Sequence, residues 1–126
     1  MIMLEHIGIT INEENDIQAF YRDLLELKEI KKFDLDKDLS EKLFGISDTV
    51  SVTLFSSDGL LMELFLTDRK QDPVYNHICI SVRDRDDFIK KAESAGFSVI
   101  NAERGSKEDL VFIKDNSGNI FEIKSR

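Results

Sequence analysis

Leu4-Glu5-His6-Ile7-Gly8-Ile9-Thr10-Ile11 and Tyr75-Asn76-His77-Ile78-Cys79-Ile80-Ser81-Val82 read almost alike. Each alternates with period 2 and is rich in β-branched residues, which predicts a strand. Each places a histidine third, and the chain has only these two histidines. Working outward, a second matched pair lies downstream of each. Asp58-Gly59-Leu60-Leu61-Met62-Glu63-Leu64 corresponds to Ser117-Gly118-Asn119-Ile120-Phe121-Glu122-Ile123, aligning Gly59 with Gly118 and Glu63 with Glu122. An internal repeat constrains the architecture more than any single motif. The first copy is about a dozen residues longer between its two landmarks.

Between the landmarks both copies run in one order. In the first, Ile17, Phe20, Tyr21, Leu24 and Leu25 recur at helical spacing behind Asn15 or Asp16 as N-cap, which predicts a helix from Asp16 to Leu25. Strands are expected over 28–33, 49–55 and 60–67, with the Asp58-Gly59 hairpin signal before the last. Residues 68–73 hold the only proline and read as the link between halves. In the second copy a strand over 76–82 precedes a helix from Asp84 to Ser94. Phe88, Ile89 and Ala92 face inward there, and Gly96 stops it. Strands follow over 97–101, 109–114 and 119–124, with a loop from Ala102 to Glu108. Each half is therefore β-α-β-β-β, an α+β pattern. The chain reads as a single domain of two modules, about 1–67 and 74–126.

The extra length of the first half falls mainly after its second strand. Asp34-Leu35-Asp36-Lys37-Asp38 begins like a calcium loop. Leu39 stands where the sharp turn needs glycine, and Gly45 where a bidentate glutamate is needed. The reading left is a solvated acidic loop leading into a short helix, Leu39 to Phe44, ended by Gly45.

Composition narrows the function classes. Hydrophobic residues make up 41% of the chain, and 25 acidic against 17 basic residues give a net charge of −8. Such a surface repels nucleic acid and acidic membranes. A single cysteine excludes an internal disulfide and fits a reducing compartment. The N-terminus lacks the pattern of a signal peptide, and no apolar run approaches the ~20 residues of a membrane helix. A cytoplasmic protein is expected.

Alternation also predicts which way the landmark side chains point. His6 shares a face with Gly8 and Thr10, opposite Ile7, Ile9 and Ile11. His77 shares one with Cys79 and Ser81, opposite Ile78, Ile80 and Val82. Glu63 lies with Leu61 and Phe65, Glu122 with Ile120 and Lys124, and each is backed by a greasy face. A carboxylate between Leu61 and Phe65 is in poor company, and burying it unpaired costs several kcal/mol. A metal ion held by two imidazoles and two carboxylates satisfies all four groups. Such a set suits nickel, zinc, cobalt, manganese or iron(II). Cys79 reads as a small core hydrophobe, Arg104 and Lys107 as part of a solvated loop.

With these pieces in view, the chain resembles the vicinal-oxygen-chelate family of glyoxalases, bleomycin-resistance proteins and extradiol dioxygenases. The stretch Phe20-Tyr21-Arg22-Asp23-Leu24-Leu25-Glu26-Leu27 and the turn Asp115-Asn116-Ser117-Gly118-Asn119 carry the resemblance beside the two histidine strands. The resemblance implies two βαβββ modules whose strands form a curled, mixed eight-stranded sheet around a metal cavity. It also implies a homodimer. His6, Glu63, His77 and Glu122 match the four-ligand pattern of its glyoxalase I branch. Fosfomycin-modifying and extradiol members use two His and one Glu, and Glu63 would fill space that dioxygenases leave for oxygen. The implied activity is that of a metal-dependent lyase or isomerase moving a proton beside the carbonyl of a 2-oxo or hemithioacetal substrate through a metal-bound enediolate. Glu122 is the implied base and Glu63 a ligand or second base. Phe65, Leu61 and Phe112 are candidates for an apolar lining. Thr10 departs from the branch, whose bacterial members carry there an arginine for a glutathione carboxylate. Two alternatives stand: an acyl-thioester epimerase, and a non-catalytic binder of a small antibiotic-like ligand.

Overall fold

The computed structural model describes residues 1–126. The chain divides into two compact units, Met1–Lys70 and Gln71–Arg126. The eight strands form two four-stranded sheets rather than one eight-stranded sheet, because each ladder closes within its own unit.

The first unit holds β1 (Ile7–Ile11), a helix over Ile17–Leu24, β2 (Lys28–Leu35), α1 (Lys37–Phe44), β3 (Val50–Ser57) and β4 (Leu60–Leu66). Its strand order is β1-β4-β3-β2. β1 runs parallel to β4, and the other pairs are antiparallel. A parallel pair needs a long crossover, and everything between β1 and β4 supplies it. The helix over Ile17–Leu24 has π geometry rather than the expected α pitch. Leu25 N–H reaches back to the Phe20 carbonyl at 2.9 Å, five residues away. Its greasy positions still do what their spacing predicts: Ile17, Phe20, Tyr21 and Leu24 are buried. They share the core with Ile11, Val52, Phe55, Met62 and Leu64, from the faces of β1 and β4 opposite Gly8 and Glu63 and from β3. The acidic stretch after β2 is a helix start. The Asp36 carboxylate accepts from Leu39 N–H at 2.8 Å, capping α1.

The second unit holds β5 (Ile78–Val82), α2 (Arg85–Ser94), β6 (Ser98–Arg104), β7 (Lys107–Lys114) and β8 (Ile120–Ser125). Its order, β5-β8-β7-β6, repeats the first, and β5 again runs parallel to β8. Asp84 caps α2 by accepting from Asp87 N–H at 3.0 Å. Ala92, Phe97, Val111, Ile113, Phe121 and Ile123 are buried. The loop expected over Ala102 to Glu108 is instead a hairpin. β6 continues to Arg104, which pairs with Lys107 across a two-residue turn, after a bulge between Ala102 and Arg104. The segment is polar on both faces, so alternation could not reveal it. Backbone pairing and the Arg104 guanidinium, which donates to the Glu108 carbonyl at 3.0 and 2.8 Å, hold it together.

Both histidine strands start later than expected. β1 begins at Ile7 and β5 at Ile78, so each histidine stands one residue before its strand. No helix is long and apolar enough to cross a membrane.

Candidate metal centre

Parallel pairing builds the same half-site twice. In the first unit Gly8 registers with Glu63, which brings the preceding His6 beside that carboxylate. His6 Nε2 lies 2.9 Å from Glu63 Oε1, with the side chains 49% and 20% exposed. In the second unit Cys79 registers with Glu122. His77 Nε2 lies 3.4 Å from Glu122 Oε1, with the side chains 39% and 15% exposed. The alternation argument therefore holds for all four side chains: none is turned into the greasy core of its unit. His6 and Glu63 come together, as do His77 and Glu122. No group of three or more His, Cys, Asp or Glu side chains placed to share an ion occurs in the single chain.

The surroundings of the pairs differ. His77 Nδ1 contacts the Tyr75 carbonyl at 3.0 Å. A carbonyl only accepts, so Nδ1 carries the proton and Nε2 is left to face Glu122. Phe112 stacks on the His77 ring at 5.6 Å between centroids and registers with Glu122 from β7. Lys124 Nζ is 3.9 Å from Glu122 Oε2. Cys79 is exposed as a residue. Even so, loss of water around the sulfur, and then the Glu122 carboxylate, push its thiol above the ordinary value, while Lys124 pulls the other way. It is a surface thiol rather than the core hydrophobe expected.

In the first unit the pair opens onto a cavity of about 370 Å³. β1 and β4 supply one side, including Phe65 as expected, whereas Leu61 does not line it. α1 and the segment after it supply Ser40, Phe44, Ile46, Asp48 and Thr49, and β3 adds Val50. The stretch from Leu39 to Thr49 is the one that departs from the small bacterial glyoxalases and is expected to reshape the pocket mouth, although the sequence singles out none of its residues as lining. The signal available was the apolar pair Leu43-Phe44 at the end of an otherwise solvated helix. Arg104 and Lys107 belong to the β6–β7 hairpin of the second unit.

The donor chemistry fits a metal ion. At each pair an imidazole nitrogen and a carboxylate oxygen point at each other, and two lone pairs so placed repel unless a proton or a cation lies between them. Neutral imidazole with carboxylate is a ligand combination for divalent first-row ions.

The family model for the glyoxalase/bleomycin resistance protein/dioxygenase superfamily matches residues 3–123. No curated protein sequence matches the chain. Among solved structures, the genomically encoded fosfomycin resistance protein FosX from Listeria monocytogenes superposes with a TM-score of 0.76 at 18% identity, covering 100% of this chain and 94% of its own. A glyoxalase family protein from Bacillus cereus gives 0.76 at 13% identity over 99% and 94%. FosX from Mesorhizobium loti gives 0.71 at 14% identity over 98% and 91%. At such identities the likeness is one of fold. A βαβββ unit repeated twice, with β1 parallel to β4 and β5 parallel to β8, and a family match spanning nearly the whole chain lead to one conclusion: the chain belongs to the glyoxalase/bleomycin resistance protein/dioxygenase superfamily.

Proposed function

We propose that this protein is a metal-dependent, glyoxalase I-like lyase or isomerase. His6, Glu63, His77 and Glu122 would hold one divalent ion. The observation that carries this reading is the duplicated pair, an imidazole Nε2 aimed at a carboxylate at 2.9 Å in one unit and at 3.4 Å in the other. Each unit holds one such pair, and the family resemblance implies that complementary pairs meet across two copies of the chain. The functional form is thus a homodimer. Manganese(II) in a form of the Listeria protein complexed with 1S,2S-dihydroxypropylphosphonic acid supports a divalent ion in this fold.

The residues that would hold a divalent ion would gain from it Lewis acidity for the charge that develops on the substrate carbonyl. The protein residues divide the remaining work. Both histidines stay as ligands, His77 oriented by the Tyr75 carbonyl. Glu122, at the longer of the two His–Glu distances, is the base. It takes a proton from the hydroxyl-bearing carbon beside the carbonyl, and the C–H electrons pass through the new C=C bond to the carbonyl oxygen. The proton returns to the former carbonyl carbon as the hydroxyl proton moves to that oxygen and the first carbon becomes the new carbonyl. Glu63 serves as ligand or second base. Phe112 against His77 and Phe65 near Glu63 keep water from competing for the proton.

The test is elemental analysis of the purified protein joined to turnover of a methylglyoxal–thiol adduct, a 2-acyl-CoA and fosfomycin. The expected result is one ion per pair of half-sites, turnover of the adduct, loss of activity on chelation and recovery on adding a divalent ion. Full activity in the stripped protein defeats the reading. Turnover of the acyl-CoA alone moves the protein to the epimerases. Tight ligand binding with neither metal nor turnover makes it a binding protein.

A further inference from the structure

The first unit's cavity has a composition that selects among substrates. Its apolar wall is built by two rings. Phe65 comes from β4 and Phe44 from the last turn of α1, with centroids 5.4 Å apart in an edge-to-face contact. Ile46 and Val50 continue that wall. Gly8 makes room for it, since a Cβ there would stand 3.2 Å from Phe65 Cε1. Phe44 is still 55% exposed, so its ring is an open surface rather than a filled part of the core.

Charge around the cavity has one sign. Its lining includes two carboxylates, Asp48 and Glu63, and no lysine or arginine. Arg69 lies nearby, but its guanidinium is turned to Asp48, with Nε and Nη2 both 3.2 Å from Oδ2. Away from His6 and Glu63, which would hold the ion, an anionic group entering the cavity would lose water and meet Asp48 with no lysine or arginine on the lining. An uncharged apolar group would exchange water for aromatic rings.

We propose that this cavity receives the non-reacting part of the substrate, and that this part is an uncharged aromatic or branched aliphatic group held against Phe44 and Phe65. Phosphonate and carboxylate tails are disfavoured there. The inserted helix α1 is then a specificity element that places Phe44. The volume of about 370 Å³ sits at the small end of ligand pockets, enough for one ring and a short chain. The inference rests on the reading that His6 and Glu63 hold the reacting end.

The test uses three hydroxamic acids titrated calorimetrically into metal-loaded protein: acetohydroxamic acid, 3-phenylpropanohydroxamic acid, and the latter with a para-phosphonate. The phenyl probe is expected to bind at least about tenfold tighter than the other two. Phe44→Ala should cost the phenyl probe about tenfold while costing acetohydroxamic acid far less. Thr49→Lys, an exposed lining position, should improve the phosphonate probe about tenfold. Equal or tighter binding of the phosphonate by the unaltered protein overturns the proposal, as does a phenyl affinity that Phe44→Ala leaves unchanged. If no hydroxamic acid binds and elemental analysis finds no metal, the metal reading has failed instead. Then 3-phenylpropanol and 3-phenylpropylphosphonate are titrated into the metal-free protein, following the Phe44 and Ile46 amide signals. Shifts with the alcohol alone uphold the proposal; shifts with the phosphonate, or with neither, overturn it.

Discussion

The two units repeat one plan and spend it differently. At the position two residues past the glutamate, the first unit has Phe65 and the second Lys124. Two residues past the histidine, the first has Gly8 and the second Cys79. In the first unit a small residue on β1 lets a large ring lie across it. In the second, a larger residue on β5 accompanies a flexible cation that leans on Glu122. The first half thus opens an apolar cavity beside its His–Glu pair. The second fixes its histidine from two sides, with the Tyr75 carbonyl and the Phe112 ring. Duplication supplies the His–Glu pair twice, and on the proposed function divergence around the pairs separates substrate holding from proton handling.

That contrast can be broken at the carboxylates first. Glu122→Gln is expected to lower turnover of the adduct about 10³-fold, within the range for losing a general base. Glu63→Gln should affect metal content more than the proton step. Equal kinetic losses with equal metal contents would erase the distinction between the halves. His6→Ala and His77→Ala come next. Each removes a ligand, so metal affinity should fall by more than the 10–100-fold that follows loss of an outer-shell partner. Competition with a chromogenic chelator measures it.

The turns before the glutamate strands differ too, and stability reads the difference. Asp58-Gly59 closes a tight hairpin between Ser57 and Leu60. The corresponding loop of the second unit is built on Asp115, which is buried. Its carboxylate accepts from Ser117 N–H at 2.8 Å, Asn119 N–H at 2.9 Å and the Asn119 side-chain amide at 2.8 Å. Asp115→Ala strands these donors and is expected to cost about 2–3 kcal/mol in urea unfolding. Asp58→Ala should stay within about 0.5 kcal/mol.

The smallest effect concerns the helix exits. Gly96 leaves α2 with φ 85°, and Glu26 leaves the π helix with φ 56°. Leu27 and Phe97, the next residue in each unit, are both buried, so each exit must make the same bend. A side chain in the left-handed region costs about 1–2 kcal/mol. Glu26→Gly should therefore stabilise by roughly 0.5–1 kcal/mol once the added chain entropy is included. Gly96→Ala should destabilise by about 1 kcal/mol, with thermal melting as the readout for both.

Legibility in the sequence followed the range of the interaction. The faces of β1, β4, β5 and β8 were readable because side-chain alternation needs only neighbouring residues. The caps at Asp36 and Asp84 are equally local, yet from the sequence a cap is expected only at Asn15 or Asp16, and Asp36 reads as part of a solvated loop. The inserted segment from Leu39 to Thr49 was legible as a shaper of the pocket mouth, but not which of its residues, Phe44 and Asp48 among them, line the cavity, because nothing within it says which sheet face it covers. The β6–β7 hairpin was hidden for a related reason. Its residues are solvated on both sides, and the pairing of Arg104 with Lys107 depends on backbone hydrogen bonds that leave no periodic trace.

By itself the sequence determined a duplicated strand–helix–strand plan with a histidine and a glutamate at matching places in each copy, since both spacing and alternation are properties of short stretches of chain. Only the tertiary structure decided that β1 lies parallel to β4, and β5 to β8, in the registers that bring His6 to Glu63 and His77 to Glu122. Strand partners so far apart in sequence are chosen by burial of Met62, Leu64, Phe121 and Ile123 behind the sheets, a condition that the whole unit satisfies together and no single segment encodes.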